Sequence, residues 1–469
     1  MIGTEDVPQF GGRMYQRRSL PALVLTSILA ASVGMPAAGQ AANPCREQDP
    51  NVRSASCTVL IDSGRETGLD LARDFYNRAL AYDENRESDR AMSDLDQAIR
   101  LQPGFGQAFF QRGRDHYVLK QYELAIADCG EALRLNPDFA DAFVCRGRAF
   151  FSQLNLDRAI ADFNQALRIR PGDAAVLEAR GRAYAKKNQT DLAITDYGES
   201  IRTRTEDAAT ALTLRGDAYI SEHYFDLAIL DFSAALRLQP GVAGIFNDRA
   251  IAYSDKHFYR HSIADLTEAI RIKPDYADAF NTRGVQYLAT RRYRRAEKDF
   301  SRAIELKPDY AMFLAHRGQV YAVEGKYQLS LIDVSRAIEL DPKRIDAFDW
   351  RCWDEAVLGH LREALADCDY VLTQPAYYGT KRSYGNTWDS RGFVYLQMGQ
   401  YDLAIADYDK ALGTGLTYAT SLYGRGLAKR KMGDFKGARV DIRAAKRIDR
   451  KIAREFKSYG YDRNPAGRR

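Results

Sequence analysis

The sequence repeats itself with a period of 34 residues, and this periodicity constrains the fold more than any other feature. Its clearest marker is an arginine followed by glycine, alanine or cysteine at eleven positions that follow one another in steps of 34 residues, apart from one step of 35 and one of 40. A period of this length is typical of arrays in which similar supersecondary units stack on one another. The marker arginines are Arg78, Arg112, Arg146, Arg180, Arg215, Arg249, Arg283, Arg317, Arg351, Arg391 and Arg425.

Each copy contains two runs of apolar residues with helical spacing. If the marker arginine is numbered position 7 of its copy, a bulky residue stands at position 4, a small one at 8 and usually an aromatic one at 11, as in Phe143, Gly147 and Phe150. This spacing predicts an amphipathic helix, called helix A here. A polar turn and a second amphipathic run, helix B, follow, and in most copies a proline ends helix B. The sequence therefore predicts an all-α chain.

These positions resemble the tetratricopeptide repeat family, and the leader described below resembles its exported bacterial members. The resemblance extends over residues 72–452, about four-fifths of the chain, with an insertion at about 372–384 in the ninth copy. It implies an α-solenoid of about eleven 34-residue helix–turn–helix units. It also implies a concave groove lined by helix A and a non-catalytic role as a scaffold that binds a peptide or a partner helix.

An aspartate stands at position 23 of every copy, and an antiparallel hairpin places this position level with the marker arginine. A guanidinium and a carboxylate on packed faces satisfy each other, so we predict that the pair sets the register of the two helices. Each aspartate is also level with the arginine of the next copy, which predicts a continuous ladder through the layers. Replacing Arg180 by alanine should then lower the melting temperature.

The N-terminal residues differ from the repeats. Arg17 and Arg18 precede an apolar run at 20–38 and a stretch of small residues, which predicts a secretory signal peptide at 1–42, with Met14 as an alternative start. We therefore expect a periplasmic or secreted protein, or a membrane-anchored one if the leader is not cleaved. Residues 43–71 form a polar segment with no helical period. Residues 453–469 should form a polar capping helix and tail.

Export would place the six cysteines in an oxidising compartment. Cys45 and Cys57 are close in sequence, and we expect a bridge between them. The hairpin register makes two further bridges plausible in geometry. Free thiols in a packed core are the equal alternative. The two further pairs are Cys129 with Cys145 and Cys352 with Cys368.

The family resemblance places positions 2, 5, 9, 12 and 13 of helix A on the groove. The residues at these positions mix aromatic and charged side chains, which suits a protein partner that brings apolar groups and carboxylates. The predicted groove residues are Tyr76, Phe110, Arg114, Tyr117, Arg148, Phe151, Arg182, Lys186, Trp353 and Phe393.

A second candidate surface is a basic edge formed by the turns of two neighbouring copies. It supports an alternative function, that of a structural assembly factor that self-associates or docks at a membrane surface through its leader or this edge. The basic edge consists of Lys256, Arg260, Arg291, Arg292, Arg294 and Arg295.

The sequence contains no pattern that predicts catalysis, so we expect no enzyme, no cofactor and no small-molecule substrate. His257 and His261 are four residues apart but straddle a turn and have no third ligand, so no metal site is expected. The net charge of +5 is small for this length, which argues against nucleic acid as the partner.

Overall fold

A computed structural model describes residues 44–203, 208–374, 381–415 and 418–461 of the chain. The predicted leader at 1–42 with Met14, the centre of the insertion at 375–380 and the tail at 462–469 lie outside the described residues. Within them, the all-α prediction is confirmed by 24 α-helices and the absence of any strand. No described helix combines the length and the apolar character that crossing a membrane would require.

The described residues up to Pro103 form one compact unit. Its helices are α1 (Pro50–Asp62), α2 (Gly68–Glu84) and α3 (Ser88–Leu101), preceded by a single 3-10 turn at Pro44–Arg46. The hairpin of α2 and α3 is the first repeat copy. Helix α1 lies in the polar segment in which the sequence shows no helical period.

Helix α1 is stabilised by its N-terminal cap and a disulfide, because it has no apolar stripe to pack on a neighbour. The carboxylate of Asp49 accepts hydrogen bonds from the backbone N–H groups of Asn51 and Val52, and Pro50 stands at the first helical position. A disulfide joins Cys57 to Cys45, with 4.6 Å between their Cα atoms. Capping and a cross-link therefore replace the hydrophobic periodicity on which the sequence analysis relied.

Residues from Gly104 onward form the second unit, which contains ten further hairpins and a final short helix. The 18-residue helix α20 begins inside the predicted insertion, at Lys381. The helices are α4 (Gly106–Val118), α5 (Tyr122–Leu135), α6 (Ala140–Ser152), α7 (Leu156–Ile169), α8 (Ala174–Lys186), α9 (Thr190–Thr203), α10 (Ala209–Ser221), α11 (Phe225–Leu238), α12 (Ala243–Asp255), α13 (Tyr259–Ile272), α14 (Ala277–Ala289), α15 (Tyr293–Leu306), α16 (Ala311–Val323), α17 (Tyr327–Leu340), α18 (Ile345–Leu358), α19 (Leu361–Thr373), α20 (Lys381–Met398), α21 (Tyr401–Gly413), α22 (Ala419–Lys431), α23 (Phe435–Ile448) and α24 (Ile452–Ser458).

Large and small residues face each other inside each hairpin. The ring of Tyr197 on α9 packs on Gly181 of α8, where an added Cβ would lie 2.6 Å from a ring carbon. Phe163 and Gly147 repeat this contact one copy earlier, at 2.8 Å. The small residue at position 8 therefore lets the two backbones approach, as close-packed helices require.

The marker arginine and the position-23 aspartate pair in all eleven hairpins, which confirms the predicted register. The arginine Nε donates to Oδ2 of the aspartate at 2.6–2.8 Å. Its Nη2 donates to Oδ1 at 2.7–3.0 Å. This parallel, two-bond arrangement is the strong form of an ion pair, and hydrogen bonding to Asp196 raises the pKa of Arg180.

The predicted ladder required each position-23 aspartate to pair also with the arginine of the next copy, and this part of the prediction was wrong. In six of the described hairpins the third guanidinium nitrogen, Nη1, donates to the side chain at position 25 of the preceding copy and not to the aspartate at position 23. Arg180 reaches Asn164 at 2.7 Å, and Arg425 reaches Asp409 at 2.6 Å. Position 25 lies about 200° around helix B from position 23, since each residue turns the helix by about 100°, so the aspartate faces its own hairpin while position 25 faces the next.

Candidate functional site

Three adjoining cavities lie along helices α4, α6, α8 and α10, and the surface that they make up together is called the inner groove here. Their volumes are about 610, 300 and 410 Å³. Tyr117 and Arg148 line both the first and the second cavity. Phe151 and Arg182 line both the second and the third. The inner groove therefore extends over four consecutive copies, from the second to the fifth.

The structure brings seven of the ten predicted groove residues together in the inner groove. Tyr76 lies on α2 in the N-terminal unit, where it is half-buried. Whether the seven bind a partner stays a prediction. They are Phe110, Arg114, Tyr117, Arg148, Phe151, Arg182 and Lys186.

The arginines at position 9 are exposed and are not held by carboxylates at ion-pair distance. Among the described residues, no ion pair within 4.0 Å involves Arg114, Arg148 or Arg182; the Arg114 Nη1 donates to the neutral Gln111 Oε1 at 3.1 Å. Arg170, at the rim of the first cavity, differs because the carboxylate of Asp141 contacts it at 2.6 Å. The floor of the groove thus presents cations that a ligand carboxylate can bind.

Aromatic rings lie beside these arginines. The ring of Phe110 packs against Phe139 with centroids 4.8 Å apart, and the Arg114 guanidinium lies 5.9 Å from the Phe110 centroid. Tyr117 and Phe151 are half-buried at position 12 of their copies. Half-buried rings offer apolar surface at a small entropic cost, which is the chemistry of binding hot spots.

A carboxylate beyond Arg182, that of Asp217, lines the same surface, and that of Asp248 lies near it; neither was among the predicted site residues. Asp217 lines the third cavity, and burial raises its pKa to about 7, with Asp248 adding to the shift and Arg182 opposing it. Burial also raises the pKa of Asp248, which accepts a hydrogen bond from Asn247 at 3.3 Å. The signal was available, since Asp217 stands at position 9 of its copy, the register of the three arginines.

The C-terminal end of the array is covered by the chain itself. Phe456 of α24 lies 5.5 Å from Phe393 and 4.8 Å from Tyr423 between ring centroids, and Tyr459 lies 5.1 Å from Trp353. Phe393 is only 1% exposed. Phe393, predicted to line an open groove, is therefore covered, because the segment expected to be a polar cap carries an apolar face; Trp353 is half-buried, and its role in the groove stays a prediction.

A buried carboxylate beneath this end makes stability depend on pH. Asp354 on α18 is fully buried, and burial raises its pKa to about 8, with Glu355 adding and the Ser330 hydroxyl opposing. An unfolded aspartate titrates near pH 4 (about 3.9), so the folded chain binds more protons between about pH 4 and pH 8. Stability should therefore fall as pH rises through this window.

Asp354→Asn should remove this loss of stability at high pH, because the amide of asparagine stays neutral where the buried carboxyl group of Asp354 would ionise. Thermal melts from pH 4 to pH 9 should show an advantage of the variant over the wild type that is smallest near pH 4, grows with pH and levels off above about pH 8. Asp402→Asn, at an exposed position of α21, is the matched control and should melt as the wild type does. A constant difference between Asp354→Asn and wild type across the whole range would contradict the prediction.

The basic edge is partly engaged in contacts between copies. Lys256 forms an ion pair with Asp226 of the preceding copy. The Arg295 guanidinium lies over the Tyr287 ring, 5.7 Å from its centroid. Arg260, Arg291, Arg292 and Arg294 are exposed. The cluster at 291–295 therefore carries most of the charge that this edge offers to solvent.

The cysteines of the repeats are paired in the structure. Disulfides join Cys129 to Cys145 across two copies and Cys352 to Cys368 within one hairpin, with Cα separations of 6.3 and 5.4 Å. Cys145 also lines the first cavity of the inner groove. Among the described residues, no group of histidine, cysteine, aspartate and glutamate has the arrangement of a metal site.

Comparison with known proteins agrees with this architecture. Two family models described as tetratricopeptide repeat match the chain, one over residues 110–174, 178–243 and 281–345 and the other over 75–105 and 386–414. Together the matched segments make up more than half of the 469 residues. No curated protein sequence matches the chain.

Several solved structures are similar to this chain. YrrB, described as a TPR protein with an unusual peptide-binding site, is 23% identical, with 39% of this chain and 95% of that one covered and a TM-score of 0.35. A tetratricopeptide repeat protein from Parabacteroides merdae ATCC 43184 is 19% identical, with 54% and 98% covered and a TM-score of 0.43. The APC/C hetero-tetramer Cut9–Hcn1 is 14% identical, with 88% of each chain covered and a TM-score of 0.45.

The family matches fall on the hairpins that carry the arginine–aspartate pair, including the second, third and fourth copies that line the inner groove. The chain therefore belongs to the tetratricopeptide repeat family.

Proposed function

We propose that this chain is a non-catalytic scaffold that binds an acidic segment of a protein partner in the inner groove. The observation that carries the proposal is the repetition of Arg114, Arg148 and Arg182 at position 9 of three successive copies, beside half-buried aromatic rings. Arginine binds carboxylates through two parallel hydrogen bonds, and aromatic rings supply apolar contact. The groove thus combines the two kinds of group that dominate protein interfaces.

We also propose that the protein acts outside the cytoplasm. The apolar run at 20–38 has the character of an export signal, and cystines persist in oxidising compartments. The partner would then be a periplasmic or secreted protein. An uncleaved leader would hold the same groove at the membrane surface.

The experiment that tests the binding site is selection of displayed peptides on the purified chain. Selected peptides should be rich in aspartate and glutamate, and Arg148→Glu should weaken their binding at least tenfold, since one charged hydrogen bond contributes roughly 1.5–3 kcal/mol. Arg295→Glu makes the same charge change outside the groove and should leave binding unchanged. Selected peptides without acidic residues, or equal loss in both variants, would contradict the proposal.

The alternative function is a structural assembly factor that self-associates or docks on anionic membranes through the basic edge. The observation that favours it is the exposure of four arginines between positions 291 and 295. The same two variants separate the alternatives. If Arg295→Glu, and not Arg148→Glu, abolished binding to anionic vesicles or to a second copy of the chain, the edge would be the docking surface.

A further inference from the structure

The three arginines of the inner groove occupy equivalent positions on neighbouring helices. Arg114 lies on α4, Arg148 on α6 and Arg182 on α8, and each pair of neighbours lines a common cavity. Helices in contact have axes about 8–10 Å apart. The arginine positions therefore repeat along the groove with a step of roughly 10 Å, which sets the spacing of the ligand groups they can bind together.

An extended ligand matches this step with three residues. Extended chains rise about 3.3 Å per residue, and a polyproline II helix rises about 3.1 Å with three residues per turn, so every third side chain returns to one face after about 9–10 Å. An α-helix needs six to seven residues for the same distance, at about 1.5 Å per residue. The two ligand forms therefore predict different spacings of acidic residues.

The extended form brings a ligand side chain to each arginine with the fewest residues. An extended segment passes the middle cavity, between Tyr117, Arg148, Phe151 and Arg182, with about three residues per step. A helix needs about six to seven residues for the same step and turns most of their side chains away from the arginines. The extended form is therefore the ligand proposed below, and a helical ligand is an outcome of the test.

The charge of the groove changes sign after the third arginine. Asp217 takes position 9 on α10, and Asp248 follows on α12; neither carboxylate forms an ion pair in the described part of the chain. Glu178, which lines the middle cavity, already accepts a hydrogen bond from the Ser200 hydroxyl at 3.0 Å. A ligand that continues into the fifth copy therefore meets carboxylates that lack a cationic partner.

We propose that the inner groove selects an extended peptide with acidic residues at every third position over three steps, followed three residues later by a basic residue. This inference rests on the proposed function, because it specifies the ligand of the same site. Arg114, Arg148 and Arg182 bind the three acidic side chains, and Asp217 with Asp248 binds the basic one. The charge reversal also fixes the direction in which the peptide lies along the array.

The test uses labelled ten-residue peptides and fluorescence anisotropy with the purified full chain at about 0.1 M salt, where interactions beyond about 10 Å are screened. The first peptide carries glutamate at residues 1, 4 and 7 and lysine at residue 10, with alanine and threonine elsewhere, and it is made in both sequence directions. A second peptide of identical composition has its three glutamates adjacent. One direction of the first peptide should bind at least tenfold more tightly than the second.

Two variants test which groove side chains bind which residues of the peptide. Arg148→Glu should weaken binding of the spaced peptide at least tenfold, and Arg295→Glu, outside the groove, should not change it. Asp217→Lys should reverse the preference at residue 10, so that a peptide with glutamate there binds more tightly than the one with lysine. A helical peptide with glutamate at every seventh residue should bind no better than the peptide with adjacent glutamates.

The outcomes separate this inference from the proposed function. Equal binding of spaced and adjacent glutamates, or tighter binding of the helical peptide, would overturn the spacing while acidic ligands still bind in the groove. If selected peptides bind through Arg148 but the spaced peptide does not, the inference alone fails. If no acidic peptide binds and selection yields none, the proposed function fails with it.

Discussion

Replacing Arg180 by alanine is expected to destabilise the fourth hairpin by about 3–5 kcal/mol, the range for breaking a buried ion pair from one side. The variant leaves the carboxylate of Asp196, whose side chain is 7% exposed, without the two hydrogen bonds at 2.7 and 2.8 Å that it accepts from Arg180. It also removes the contact of the guanidinium with Asn164 of the preceding copy and with the Tyr184 ring. The loss therefore affects both the hairpin and its attachment to the layer before it.

Matched variants isolate the cause of this loss. Asp196→Ala should cost less, because the Arg180 side chain is 21% exposed and can turn its charge toward water. Arg180→Met combined with Asp196→Leu should recover most of the stability, since an apolar pair avoids the buried charge. Thermal melts and hydrogen exchange of residues 174–203 measure the effect, because an array of this kind loses structure locally. An unchanged melt, or a double variant as unstable as Arg180→Ala, would refute the register role of the pair.

Phe456→Ala is expected to release the C-terminal segment from the last three copies. Phe456 is 3% exposed and contacts the rings of Phe393, Tyr423 and Tyr459. Removing a buried phenylalanine costs about 3–5 kcal/mol, and α24 is a helix of only seven residues, too short to persist without its packing contacts. Its detachment would expose Trp353 and Phe393 to solvent.

Hydrogen exchange of residues 385–461 and tryptophan fluorescence measure this release. Exchange should accelerate in α22 and α24, and the Trp353 emission should shift to longer wavelength, while the second to fourth copies keep their protection. Lys457→Ala, at an exposed position of the same helix, is the control and should leave both signals unchanged. Retained protection in Phe456→Ala would mean that other contacts hold the segment in place.

The surface formed by the A helices is covered at the C-terminal end of the array and open in the second to fifth copies. At the C-terminal end, the chain's own Phe456 and Tyr459 occupy the surface that helix A presents in the ninth to eleventh copies. In the second to fifth copies the same surface is open and lined by arginines and aromatic rings. The proposed partner site therefore lies where the chain does not cover itself.

The sequence by itself determined the repeating unit. The 34-residue period, the two helices of each copy and the pairing of positions 7 and 23 follow from local spacing, because an antiparallel hairpin with a short turn has only one register that joins every large residue to a small one. The family resemblance, and not this rule, placed Arg114, Arg148 and Arg182 on one face. Repetition strengthened each of these inferences, since eleven copies carry the same signal.

Only the tertiary structure decided which surfaces remain open and which contacts join the copies. Helix α1 lacks an apolar stripe and depends on the Asp49 cap and the Cys45–Cys57 link. The Nη1 contact with position 25 depends on how one hairpin is rotated against the next, and the covering of Phe393 by Phe456 joins residues 63 positions apart. Contacts between distant segments leave no periodic trace in a sequence, because they depend on the path of the whole array and not on the spacing within one copy.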